Sequence, residues 1–189
     1  MSDREQFEAS SVETAAIGDE LPVALPEEGL PPERQYCIFR AGRERYSLAV
    51  LDVEEVVDWP PVTPLPLAPS FLMGIFNLRG SIVPVVDIAV GEGRRPDLPP
   101  KRVVVAKWAS EAGHDDLRLG IAADEVIGTY STREPLLVDE APREVPHCCG
   151  MLRHNGTSAA ESDAAAGTGR LAMVLDLRRV VEAFPLPVI

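Results

Sequence analysis

The sequence predicts an all-β barrel architecture with minor helix, on three observations. Apolar and polar residues alternate at period two over several short runs. Gly and Pro, 14 and 18 of them among 189 residues, punctuate those runs as turns. Helical spacing is scarce. Many short strands separated by such turns mean sheets folded on themselves rather than a helical bundle.

In chain order, residues 36–40 (Tyr36, Ile38, Arg40) and 46–50 (Tyr46, Leu48, Val50) flank Ala41-Gly42-Arg43 as a short hairpin. After a proline-rich stretch, Pro69-Ser70-Phe71-Leu72-Met73 reads as a helical turn or two. Residues 81–88 are nearly all apolar and rich in β-branched side chains. Pro84 has no N–H to give a ladder, so an edge or bulged strand is expected there. Residues 102–108 and 117–122 lie either side of a hydrophilic stretch and read as a second hairpin. Asp124 to Thr132 and Arg170 to Leu175 supply two more strands. Asp176 to Phe184 sets Leu177, Val180, Val181 and Phe184 at helical spacing, with Asp176 as N-cap and Pro185 as stop.

Two segments offer no core. Residues 1–34 hold nine acids against Arg4 and Arg34, and four prolines. Such a stretch buries too little apolar surface to offset its ordering entropy, so a disordered acidic tail is expected, with residues 35–189 forming the folded domain. Residues 154–169 are small and polar and read as a long flexible loop between two strands.

Composition narrows the function classes. Eighteen basic against thirty acidic side chains leave a net charge of −12. Phosphate backbones and anionic bilayers both reward Lys and Arg, so neither nucleic acid nor a membrane surface is expected as partner. No run approaches the roughly 18 to 20 apolar residues of a membrane span, and the N-terminus has no basic, apolar leader pattern. Three cysteines, without framework spacing, fit a reducing cytoplasm.

The chemistry of catalysis is absent from the pattern. His114, His147 and His154 lie in hydrophilic or loop-like contexts without ligand spacing. The run His147-Cys148-Cys149 invites zinc, yet a closed tetrahedral site needs a second ligand pair, so core thiols and no metal are expected. Gly91-Glu92-Gly93 lacks the lysine and helix of a phosphate cradle. The doublets Glu54/Glu55 and Asp115/Asp116 point to different faces as sequence neighbours, which does not converge two carboxylates on one substrate. No nucleophile elbow occurs. The expectation is a protein without catalytic residues or cofactor.

The specific signal is residues 74–88. Asn77-Leu78-Arg79-Gly80 is a polar turn between two apolar strands, with Asn and Gly suited to φ > 0 or to capping. Arg79 at its tip is a permanently charged planar fork. It suits either recognition of a partner or an ion pair with an acid of its own fold, such as Glu55 or Asp87.

This stretch resembles the CheW family of bacterial chemotaxis coupling proteins, whose signature is a Gly-(hydrophobic)-x-Asn-Leu-Arg-Gly turn followed by an Ile-Val-Pro-Val-(hydrophobic)-Asp strand. Further segments are similar to the family in order: the hairpin from Tyr36 to Leu48, Val53 to Val57, Thr63 to Gly74, Leu119 to Val126 and Leu175 to Val181. The resemblance covers about residues 35–185.

It implies two small SH3-like five-stranded β-barrels packed together, with short helices. It also implies an adaptor binding the cytoplasmic tip of methyl-accepting chemoreceptors and the regulatory domain of the CheA histidine kinase. By the resemblance, Val53, Glu55 and Arg79 face the receptor, while Asn77, Leu78 and Gly80 set the turn. A second reading from another class is a stand-alone β-barrel regulator that binds a small molecule or another signalling protein. A barrel of five strands is normally filled by its own side chains, which counts against the small molecule.

Overall fold

A computed structural model of the chain describes residues 31–89, 99–108, 117–155 and 170–184. Most of the acidic segment, His114, Asp115/Asp116, Gly91-Glu92-Gly93, Pro185 and residues 156–169 lie outside the described residues.

The described chain runs through ten strands and one helix: β1 (Arg34–Ala41), β2 (Glu44–Ala49), β3 (Val53–Asp58), β4 (Leu72–Leu78), β5 (Ser81–Val86), β6 (Arg102–Trp108), β7 (Leu117–Ala123), β8 (Glu125–Thr132), β9 (Cys148–His154), β10 (Arg170–Leu175) and α1 (Leu177–Ala183). They form two five-stranded sheets, in the orders β8-β1-β2-β10-β9 and β3-β6-β7-β5-β4. The expected mainly-β, SH3-like architecture is what the chain adopts.

The two sheets share one plan. In each, a central antiparallel pair (β1/β2 or β6/β7) is joined on one side by a parallel strand, β10 on β2 and β5 on β7. The segment following the edge strand β3 pairs with β4 through Thr63 and Ile75; that following β8 pairs with β9 through Leu137 and Met151. Only one sheet is contiguous in sequence. The N-terminal hairpin completes the C-terminal sheet, and the Ser47 hydroxyl donates to the Met173 carbonyl, 126 residues away, at 3.4 Å.

Three apolar clusters follow from the alternation. Phe76, Val83, Val85, Val103, Val105 and Ala122 fill the β3–β7 sheet, and Tyr36, Ile38, Leu152, Ala172 and Val174 the other. The opposite faces of the central strands meet in a larger shared cluster that includes Phe39, Tyr46, Leu48, Val104, Ile121 and Met173. Helix α1 closes it with Leu177 and Val180. Asp176 caps that helix as its spacing predicts, its Oδ1 accepting from the Arg178 N–H at 2.9 Å.

Three expectations are corrected. The strand carrying Pro84 is not an edge: β5 lies between β7 and β4. It is tolerated because β5 meets β7 only at Val85 and Val86, beyond the proline, and the register shift sits in β4 between Leu72 and Gly74. Pro69 to Met73 is one turn, closed by the Leu72 N–H on the Pro69 carbonyl at 2.9 Å, and Leu72 already belongs to β4. His147 and His154 are both buried: His147, in the turn just before β9, packs against Phe184, and β9 carries His154 inward against Tyr130. His154 is thus the last residue of β9, not the first of a loop.

Candidate functional site

The Asn77-Leu78-Arg79-Gly80 turn joins β4 to β5. Leu78 pairs with Ser81, which leaves Arg79 and Gly80 as a two-residue hairpin loop. Both have positive φ, +50° and +93°. Two successive left-handed residues form the turn whose twist matches the flanking strands. A Cβ on Gly80 would meet nothing within 4 Å, so the glycine is required by its dihedral and not by space. Asn77 stays in the strand and caps the loop: its Oδ1 accepts from the Gly80 N–H at 2.7 Å. The left-handed residue ahead of Gly80 is therefore Arg79, at a cost of about 1–2 kcal/mol for a side chain with a Cβ. Asn would fit that position better.

Leu78 anchors the turn on the cluster inside its own sheet. Arg79 stands outward, its side chain 79% exposed. Its Nη2 donates to Glu55 Oε2 at 2.9 Å, while Glu55 is itself only 20% exposed. Of the two candidate partners within the fold, Glu55 holds Arg79. Asp87 instead accepts from the Ala89 N–H at 3.0 Å. Val53, at the start of β3, is half-buried against the shared cluster. Val53, Glu55 and Arg79 thus come from one strand and the turn that reaches it.

A second ion pair was not legible in the sequence. Arg118, on β7, grips Glu54 through two parallel contacts, Nε to Oε2 at 2.6 Å and Nη2 to Oε1 at 3.0 Å. Its Nη1 donates to the Ser81 hydroxyl at 3.2 Å. The hydrogen bond from Arg118 holds the Glu54 carboxyl below the usual carboxylate range. The two acids of the doublet take different partners, Glu54 with Arg118 and Glu55 with Arg79, and Glu54 sits where the β3/β6 register shifts. No local pattern names Arg118 as the partner, because β3 and β7 meet only across β6.

The thiol run gives no convergence of ligands. Cys148 Sγ donates to the Gly150 carbonyl at 3.2 Å, His147 packs against Phe184, and burial pushes the Cys37, Cys148 and Cys149 thiols up. Among the described residues, no three His, Cys, Asp or Glu side chains group as metal ligands. Among them, too, no helix is long and apolar enough to cross a membrane.

A family model described as the CheW-like domain matches residues 35–184. The chain belongs to the CheW-like domain family. Protein FrzA of Myxococcus xanthus is 30% identical over 136 residues, covering 68% of this chain and 80% of FrzA. The chemotaxis protein CheW of Thermotoga maritima is 26% identical over 151 residues, 79% of this chain and 89% of that protein. The alignments to CheW proteins of Rhizobium etli and Rhizobium meliloti, at 33% and 35% identity, span only 47% and 64% of those relatives. Among solved structures, the scaffolding protein TtCheW of Thermoanaerobacter tengcongensis superposes with a TM-score of 0.60 at 23% identity, covering 79% of this chain and 88% of that one. That likeness speaks to the CheW fold, and the two sheets described above are its elements.

Proposed function

We propose that this CheW-like chain is a non-catalytic adaptor in a chemotaxis-type signalling array. It couples the cytoplasmic tips of methyl-accepting chemoreceptors to the regulatory domain of the CheA histidine kinase. The observation that carries the reading is Arg79. A bulky cation occupies a left-handed turn position that favours Asn or Gly, and the chain holds it out in solvent against Glu55. Backbone strain that serves no packing purpose is a mark of recognition. A receptor helix hairpin would offer such a cation an acceptor together with apolar anchors.

The kinase contact is a like-with-like pairing of SH3-like units on another surface. The interior of each sheet is filled by its own side chains, which counts against a small molecule bound inside either barrel.

The test is binding of the full chain, separately, to a receptor tip fragment and to the kinase regulatory domain. Arg79→Glu should weaken the first by roughly thirty- to several-thousand-fold, the range for losing a buried charged pair. It should change the second far less and leave unfolding nearly unaltered. Equal loss of both affinities with a sharp loss of stability would make Arg79 a structural ion pair only. Unchanged affinities would place the receptor site elsewhere.

A further inference from the structure

We infer that Arg118 is a positioning residue for the Arg79 turn, splinting Ser81 to Glu54 so that Arg79 is presented in one geometry. The inference rests on the receptor-facing reading of that turn.

Five side chains make a closed polar circuit. Glu54 and Glu55 are neighbours on β3. Glu55 holds Arg79 at the tip of the turn, and Ser81 begins β5 immediately after it. Arg118 ties Ser81 back to Glu54. The two halves of this circuit differ in stiffness. The Arg79–Glu55 contact is a single one with an exposed guanidinium, and such pairs are weak and easily exchanged. The Arg118–Glu54 contact is two-pronged, with the side chains 34% and 24% exposed, and a fork fixes direction as well as distance.

That asymmetry suits an adaptor. A partner's acceptor can take Arg79 from Glu55 while the base of the turn stays fixed by Arg118. Without the splint the turn would sample other geometries, and affinity would fall by the fraction of time spent outside the competent one.

The experiment compares Ser81→Ala, Arg118→Lys and their double variant in the full chain. Affinity for a chemoreceptor tip fragment is one readout; hydrogen exchange at the Arg79 and Gly80 amides, without partner, is the other. Each single change should weaken binding roughly three- to tenfold, the size of one lost hydrogen bond. Amide exchange in the turn should quicken while strand interiors stay protected. The double variant should bind no worse than the weaker single one, since both changes break the same link.

Full affinity in Arg118→Lys would overturn the proposal, because a lysine keeps the charge and loses the fork. Additive losses, or unchanged exchange in the turn, would overturn it equally. Ser81→Ala removes one hydroxyl and keeps the test decisive if the Arg118 variants fold poorly. Arg79→Glu, measured alongside, separates the two levels. If it leaves receptor affinity intact, the receptor-facing reading fails, and turn exchange still decides whether Arg118 is the splint.

Discussion

Thr63 and Ile75 exchange both of their main-chain hydrogen bonds, at 2.8 and 2.9 Å, although Thr63 lies outside any strand. This bridge returns the segment after β3 to β4, the opposite edge strand of the same sheet. Gly74 makes it possible. Its φ is +142°, and a Cβ there would overlap the Thr63 carbonyl and come within 2.8 Å of Val62 Cγ1. In the other sheet, Leu137 and Met151 make the matching bridge beside Gly150, where a Cβ would have its nearest neighbour at 3.2 Å.

The two glycines therefore predict different costs. Gly74→Ala combines dihedral strain with a backbone clash and should destabilise by about 2–4 kcal/mol. Gly150→Ala has only the Leu136 side chain to displace and should cost about 1 kcal/mol or less. Urea unfolding of both variants checks this; equal losses would mean that the tight approach at Thr63 relaxes freely.

Arg79→Asn is expected to separate stability from binding. It relieves the left-handed strain on a side chain that Asn tolerates, and loses an exposed ion pair worth about 0–1 kcal/mol. The two effects offset, so the unfolding free energy should move by less than about 0.5 kcal/mol. Receptor-tip affinity should nevertheless fall at least tenfold, about 1.4 kcal/mol. A variant that binds as well as the parent would remove Arg79 from the interface.

Glu54 predicts an acid dependence. Its carboxyl is held low in the folded chain by Arg118, so between its folded and unfolded values the unfolded chain binds more protons. The contribution is present above the unfolded value, about 4.3, and is lost as pH falls through the folded one. The stability gap between the parent and Glu54→Gln should be widest near about pH 7 and shrink below about pH 4. Denaturant midpoints measured across that range test it; a gap independent of pH would show that Arg118 does not stabilise the charged form.

The thiols predict slow chemistry. Burial is the first cause raising all three, and the thiolate is the reactive species. Alkylation near about pH 8 should be slow, with the half-buried Cys149 first and Cys37 and Cys148 waiting on opening of the fold. Rapid labelling of Cys37 would show that β1 opens readily. Elemental analysis should find no stoichiometric zinc.

The local elements were legible because each is written in neighbouring residues. Alternation gave the hairpin around Gly42 and the strand of residues 102–108; Asp176 with its apolar spacing gave α1; Asn77 and Gly80 gave a turn of the right place and kind. Even the turn was only partly so. Asn77 was as good a candidate for the positive φ as any, and the pairing of Leu78 with Ser81 moved it to Arg79.

By itself, the sequence determined the all-β class, the strand and helix positions that local spacing writes, and the signature that marks a CheW-like chain. Tertiary structure alone decided which strands meet. The hairpin β1/β2 joins β8 by antiparallel pairing of β1, and joins β10, with β9 beyond it, through the parallel contacts of Tyr46 and Ser47 with Met173 and Val174. It also placed Pro84 inside a sheet, buried His154 and gave Glu54 its partner on β7. Period two says that a residue has an inner and an outer face, and says nothing of what lies across from it. That choice rests on contacts between residues far apart in the chain, which form only when both sheets close on their shared core.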